Sequence, residues 1–212
     1  MAQEELFDIY DDNGIHIGVK PRSAVHRDGD WHRVFHCWII HPDGYVLVQH
    51  RNHTKDVFPN KLDITVGGHY SAGETMRDGV REIQEEVGIT VAFDELIHVG
   101  LRVSAVRDSG AIDRQLSDEF FYVSDRDLTA YKLQLSEVSG LIAFPIEAGL
   151  SFLKNECDTL MAEGVWYDDD GVIQRETRPI TRDMLIPTLD YYFERVLVLA
   201  RRCLKGETDL YI

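Results

Sequence analysis

Cysteine is nearly missing from this chain. Three occur among 212 residues, Cys37, Cys157 and Cys203, and none lies near another in the sequence. No CxxC pair exists, which removes zinc ribbons and dithiol redox motifs. An odd, scattered set points to free thiols in the cytoplasm and not to a disulfide framework. Basic residues are also scarce: 22 Lys and Arg face 37 Asp and Glu, a formal net charge of −15. A nucleic-acid polymer is gripped by a basic face, so it is not an expected partner. No apolar run approaches the roughly 20 residues of a membrane span, and the opening MAQEELFDIYDD is acidic, with no apolar signal core. Histidine stops early: all nine lie at or before His98.

What is present is ordinary for a globular protein, 44% hydrophobic and 28% charged residues. The length suits one domain with an elaboration. Asp12-Asn13-Gly14 between alternating apolar residues predicts a hairpin over 4–20, and 22–32 reads as polar and turn-rich. Strands are expected at 34–40, 45–49, 64–66, 97–105 and 119–123. Loops are expected at 50–63 and 107–117. Helices are expected over 147–163 and from near Pro187 onwards, and Asp168-Asp169-Asp170-Gly171 reads as a turn.

The chain is organised around residues 67–89, GGHYSAGETMRDGVREIQEEVGI. A strand runs into glycines, and a helix follows, with Thr75 as its N-cap, Asp78 three positions on and Gly88 as its stop. On a helical period Met76, Val80, Ile83 and Val87 share one stripe. Glu82, Glu85 and Glu86 share another, about 140° away. Carboxylates at this spacing repel one another. A hard divalent cation, magnesium or manganese, relieves that repulsion with oxygen ligands; a solvated acidic face is the bland alternative.

This segment resembles the Nudix box, G-x5-E-x7-R-E-U-x-E-E-x-G-U, where U is aliphatic. Residues 81–89, REIQEEVGI, match its second half at every fixed position, and Gly68 and Glu74 match the first half. Six residues, not seven, separate Glu74 from Arg81, read as a shortening of the loop or first helical turn. The resemblance implies an α+β fold, a mixed sheet in an α/β/α sandwich, with the N-terminal hairpin and C-terminal helices added. The expected division is a hairpin extension over 1–30, a Nudix domain over 31–150 and a helical extension over 151–212 packed on the core.

By the same resemblance the activity is magnesium-dependent (manganese as the alternative) hydrolysis of a diphosphate linkage in a small nucleoside diphosphate derivative. Glu82 and Glu86 are implied as the main metal ligands, Glu85 as a third ligand or the base, and a backbone carbonyl at Gly67 as a further ligand. Arg81 is implied as the group that orients these carboxylates. Glu119 is the candidate acid from outside the box, with Asp118 second. Arg51, Lys55 and Lys61 are candidates to hold substrate phosphates, though solubility explains each equally well. Trp31, Phe58 and Tyr70 are candidates to stack a base, with core packing the commoner use. A homodimer is common in the family.

The N-terminal half also resembles the branch that includes isopentenyl-diphosphate isomerases. Those enzymes use histidines at places like His26, His32 and His69, together with a catalytic cysteine before the last of them. Here that neighbourhood is Thr65-Val66-Gly67-Gly68, with no thiol. The histidines are therefore read mainly as structural, with a second metal site as the alternative. A third class, a nucleotide-sensing or protein-binding module without turnover, gets no DNA-binding face from residues 151–212, which carry eight Lys or Arg against twelve Asp or Glu.

Overall fold

The computed structural model describes residues 4–55, 57–108, 111–168, 171–188 and 190–212. Its centre is β3 (Trp31–His41), seven of whose residues are buried in succession or nearly so. One edge of β3 pairs in parallel with β8 (Ala111–Val123), from Trp31 opposite Arg114 to Ile40 opposite Val123. The other edge is shared by three partners in antiparallel register: β1 (Leu6–Tyr10), β6 (Val66–His69) and β4 (Tyr45–Arg51). The sheet continues from β4, which also pairs with the two-residue β5 (Leu62–Asp63), to β9 (Val138–Pro145), β10 (Leu160–Tyr167) and β11 (Ile173–Ile180). On the far side β1 carries β2 (His16–Pro21), the expected hairpin. Its turn is closed by Asp11, whose carboxylate accepts from Asn13 and Ile15 N–H, while Gly14 takes a left-handed φ of 75°.

Alternation along β3 and β4 sends successive side chains to opposite faces and makes three layers. Phe35, Cys37, Ile39 and Leu47 pack against Ile83 and Val87 of α2 (Arg81–Val87). Trp38, Ile40, Val46 and Val48 pack against α3 (Ile146–Leu153) and α4 (Tyr192–Leu204) on the other face. The mixed sheet between helices is the architecture that the box implied.

Four local expectations change. Residues 22–32 hold a helix, α1 (Arg22–Asp28), ended by Gly29 at φ 73°. It buries one apolar residue, Val25, so it has no period to read. Residues 107–108 and 111–117 are strand and not loop: β7 (Ile97–Asp108) and β8 pair, with one irregularity between His98 and Gly100, to Asp108 opposite Ala111. The helix expected over 147–163 ends at Leu153; Asn155 takes a left-handed φ of 62°, and the strand β10 begins at Leu160. The last helix starts at Tyr192, not near Pro187.

The C-terminal segment is therefore strand as well as helix. β10 and β11 extend the sheet, and α4 completes the larger core, so 151–212 shares both with the rest of the chain. β11 reads as polar because it is an edge strand exposed on both faces, with Arg175, Glu176 and Pro179 all in solvent. Asp169 and Asp170 of the expected turn lie outside the described residues. Among the described residues no helix is long and apolar enough to cross a membrane.

Candidate active site

The segment 67–89 folds as a short strand, a turn, a single 3-10 turn at Asp78–Val80 and then α2. The helix is shorter than expected from Thr75. Asp78 accepts from both the N–H and the hydroxyl of Thr75, at 2.8 and 2.7 Å, which fixes the turn that precedes it. Met76 is exposed, and the buried stripe of α2 is Ile83 and Val87.

The three glutamates part company. Glu82 and Glu86, one turn apart, are 8% and 6% exposed, whereas the Glu85 side chain is half exposed. Burial pushes the Glu82 carboxyl up to about 7. Burial, and then the charge of Glu82, push Glu86 up to about 8. Glu86 Oε2 accepts from Gly67 N–H at 3.2 Å and lies 3.4 Å from the Gln49 amide nitrogen. Gly68 lies against Glu82, and a Cβ on it would overlap that carboxyl group. Two acid groups held dry beside a glycine strand, with few cationic partners, fit a hard cation.

Arg81 ties this centre together. Its Nε and Nη2 donate to the two oxygens of Glu74 at 2.8 and 2.9 Å, a bidentate pair. Nη1 donates to Glu82 at 2.6 Å and to Glu85 at 3.2 Å, and Nη2 also reaches the His69 carbonyl at 3.0 Å. The Arg81 bond holds Glu74 below the usual carboxylate range. Despite the six-residue spacing, Glu74 thus faces Arg81.

Glu119 does not start a strand. It lies within β8, fully buried, directly opposite His36. Tyr192 of α4 donates to its Oε2 at 2.6 Å, and His36 Nδ1 lies 3.0 Å from Oε1. Trp38 donates to the Tyr192 oxygen at 2.9 Å. His36 in turn lies beside Gly67, where an added Cβ would meet its ring at 3.5 Å. Glu119 therefore stands behind the glycine strand. Asp118 is held by Arg33 at 2.6 and 2.7 Å.

A second cluster lies at the other end of β6. His26 of α1, His32 of β3 and His69 of β6 bring ring nitrogens within 4.8 Å of one another. Phe7 stacks on His69 at 4.7 Å and on His32 at 5.6 Å. His32 donates Nδ1–H to the Asp30 carbonyl at 3.2 Å, leaving Nε2 as a bare lone pair. His32 Nε2, His69 Nε2 and Asp113 Oδ1 are buried and without hydrogen bonds. Asp113 Oδ1 stands 3.4 Å from His32 Nε2. Burial pushes His32 down to about 4, His69 well below its ordinary value, and Asp113 up to about 6. Neutral imidazoles with orphaned nitrogens fit a borderline transition metal. The confinement of histidine to the first 98 residues leaves a structural role and a second metal site both open, and the structure brings His26, His32 and His69 together.

Comparison with known proteins decides the family. The NUDIX domain model matches residues 30–152. The chain belongs to the Nudix hydrolase family. This Nudix hydrolase is 34% identical over 198 residues to an uncharacterised Nudix hydrolase of Clostridium acetobutylicum, covering 92% of this chain and 96% of that one. It is 38% identical over 160 residues to Nudix hydrolase 3 of Arabidopsis thaliana, 72% of this chain but 21% of that protein. It is also 30% identical over 118 residues to an isopentenyl-diphosphate Delta-isomerase of Mycolicibacterium vanbaalenii, 55% of this chain and 65% of that enzyme. A Deinococcus radiodurans crystal structure shares the fold, with a TM-score of 0.52 at 22% identity over 71% of this chain and 89% of that one. The family acts on nucleoside diphosphate derivatives and generally uses divalent cations.

The three basic candidates are engaged within the protein. Arg51 donates to Asp63 at 2.9 Å and to the carbonyls of Val57 and Phe58. Lys55 pairs with Glu137, and Lys61 donates to the Asp183 carbonyl. None of the three bonds to α2, although Lys55 is near enough to act on the charge of Glu86. Of the aromatic candidates, Tyr70 belongs to the core and Trp31 donates to Asp12 at 2.8 Å. Phe58 adopts a left-handed φ of 48° within that loop.

Proposed function

We propose that this protein hydrolyses the phosphoanhydride of a small nucleoside diphosphate derivative, with Glu82 and Glu86 as the principal ligands of a magnesium ion. The observation that carries the reading is the pair of dry carboxylates one helical turn apart, braced by Gly67 and Gly68. A bound magnesium or manganese ion supplies charge neutralisation at the phosphate oxygens and a more acidic water. Arg81 holds Glu82 and Glu85 in register. Glu85, half in solvent, is better placed than Glu119 to take a proton from the attacking water, because both Glu119 oxygens are engaged within the protein. Glu119 then serves to fix His36 behind Gly67. Gly67 is retained as the backbone ligand through its carbonyl, its N–H being given to Glu86. Arg51 is assigned to loop architecture and Lys61 to its bond with the Asp183 carbonyl, and Lys55, whose charge acts on Glu86, is retained as the cation for a substrate phosphate. The partner is a small molecule and not a nucleic-acid polymer, in keeping with the net charge of −15. Three free thiols support a cytoplasmic setting, and a homodimer is the proposed assembly. A panel of diphosphate compounds incubated with magnesium, with product analysis, tests the reading.

One observation favours a second reading. The His26–His32–His69 cluster, with the isomerase relative, fits a second metal centre, and an isopentenyl-diphosphate isomerase-like activity would use it. Against it stands the stretch Thr65-Val66-Gly67-Gly68 before His69, which carries no thiol to deliver a proton. Cys37 cannot substitute, since it points into the α2 core and burial pushes its thiol up. Direct product analysis with the two five-carbon diphosphates separates the readings.

A further inference from the structure

A pocket of about 710 Å³ opens at the end of the sheet away from the β1–β2 hairpin, lined by His50, Asn52, Ser139, Trp166, Gln174 and Arg178 among others. Its volume falls in the range of small-molecule sites. The floor is one cross-strand row: His50 of β4 opposite Gly140 of β9, Gly140 opposite Trp166 of β10, and Trp166 opposite Gln174 of β11. Gly140 and Gly164 sit inside strands, where glycine is normally unfavourable, and neither has a positive φ that would demand it. Their use is spatial. A Cβ on Gly140 would meet the Trp166 ring at 3.2 Å and His50 Cβ at 3.3 Å, and one on Gly164 would meet the Trp166 indole nitrogen at 3.0 Å. The indole thus lies down across two bare strands. His50 meets it edge-on at 5.2 Å, and the Arg178 guanidinium lies 4.3 Å from its ring centre.

The lining specifies a class of ligand. Arg178 is already paired with Glu176, through Nε at 2.7 Å, so it is a poor phosphate anchor but keeps a flat guanidinium face. Asn52 is engaged with Leu135 and Thr54, and Ser139 with His50, so the polar groups left to a ligand are the Gln174 amide and the Trp166 indole N–H, which is buried without a partner among the described residues. A flat ring with a hydrogen-bonding edge satisfies such a surface; an aliphatic chain would leave the Gln174 amide and the Trp166 N–H unpaired. The walls of the pocket are linked to the acidic helix, on the other face of the sheet, through neighbouring residues. Gln49, the residue before His50, reaches Glu86 from the opposite face of β4. Asn52 donates to the carbonyls of Glu137 and Leu135, and Gln134 N–H donates to the Glu86 carbonyl at 3.0 Å.

We infer that this pocket is the base subsite: it takes the planar heteroaromatic ring of a nucleoside diphosphate derivative whose phosphates reach Glu82 and Glu86. The assignment rests on the hydrolytic reading above and gives the base of its substrate a place in the fold.

Calorimetric titration of the whole protein with AMP, ribose 5-phosphate and dimethylallyl diphosphate, without metal, tests it directly. AMP is expected to bind at least tenfold more tightly than either of the others. Gln174→Ala and Arg178→Ala, each checked for an unchanged melting temperature, are expected to weaken AMP at least fivefold and leave ribose 5-phosphate alone. In turnover of a base-bearing diphosphate, the same variants should raise KM at constant kcat. Equal binding of AMP and ribose 5-phosphate, tighter binding of dimethylallyl diphosphate, or AMP affinity unmoved by both folded variants overturns the assignment. The readings fail separately: AMP discrimination mapped to Gln174 and Arg178, without turnover of any diphosphate, keeps the subsite and sinks the hydrolase mechanism.

Discussion

Gly68 faces Glu82 with no room for a side chain: a Cβ on the glycine would overlap the carboxyl group of the glutamate. The glycine of the motif is a matter of space at this position, since it carries no left-handed φ. Gly68→Ala must therefore push Glu82 off the strand or the strand off β3. We expect a stability loss of about 1–3 kcal/mol, typical of overpacking, with hydrolysis lost in the fraction that still folds. Thermal melts paired with rates check this; a variant with wild-type turnover would show that Glu82 works from another position.

Arg81 acts as a fork, with both edges used by Glu74, Glu82, Glu85 and the β6 backbone. Lysine keeps the charge and loses the fork. Arg81→Lys should lower hydrolysis by roughly 10–100-fold, the usual effect of disturbing groups that orient metal ligands, and should raise the magnesium concentration for half-maximal rate. A titration of rate against magnesium separates this from a purely structural defect, which would lower the rate at every concentration alike.

The raised carboxyls make stability depend on pH and on metal together. Glu82 at about 7 and Glu86 at about 8 bind protons more tightly folded than unfolded. Their contribution is complete below the unfolded value near 4.5 and is lost as pH climbs through the folded values. The buried histidines, pushed down, act with the opposite sign but only below about 6.5, the ordinary value for histidine. Between pH 6.5 and 8 the metal-free protein should therefore melt at falling temperatures. Glu86→Gln should flatten that slope, and saturating magnesium should protect most at pH 8. Scanning calorimetry across that window checks all three; a flat wild-type profile without metal would contradict the buried placement of the pair.

The histidine cluster makes a prediction about metal content. Zinc or manganese should bind the wild type with one more equivalent than His69→Ala, in a site unaffected by Glu86→Gln. Metal analysis after dialysis against a weak chelator is the measurement. Equal stoichiometry in both proteins would leave His26, His32 and His69 as packing around Phe7.

The acidic centre was legible because its chemistry is local. Residues 81–89 place ligands, organiser and helix stop within nine positions, and the strand before them carries the glycines. What the period could not show was that Glu85 faces out while Glu82 and Glu86 face in, since burial depends on what β3 and β6 put beneath the helix. Glu119 was singled out, but its setting depends on Tyr192, 73 positions away. The outer part of β7 and β8 was hidden for a related reason: its polar residues are held by pairing between the two strands and not by an apolar face. Likewise β11, all but bare of buried residues, is specified by its partner β10. The histidine cluster draws on α1, β3 and β6, so it exists only once β1 and β6 are laid along β3.

The most direct test of the central claim is the rate of diphosphate cleavage at pH 8 by wild type and Glu86→Gln, with magnesium and with excess EDTA, over a panel of base-bearing diphosphates. The account predicts that at least one compound is cleaved by the wild type. It predicts that EDTA abolishes the rate, and that the folded variant loses at least the ~100-fold associated with damage to a metal site. Cleavage by Glu86→Gln at the wild-type rate, or no cleavage of any compound with any divalent cation, would contradict it.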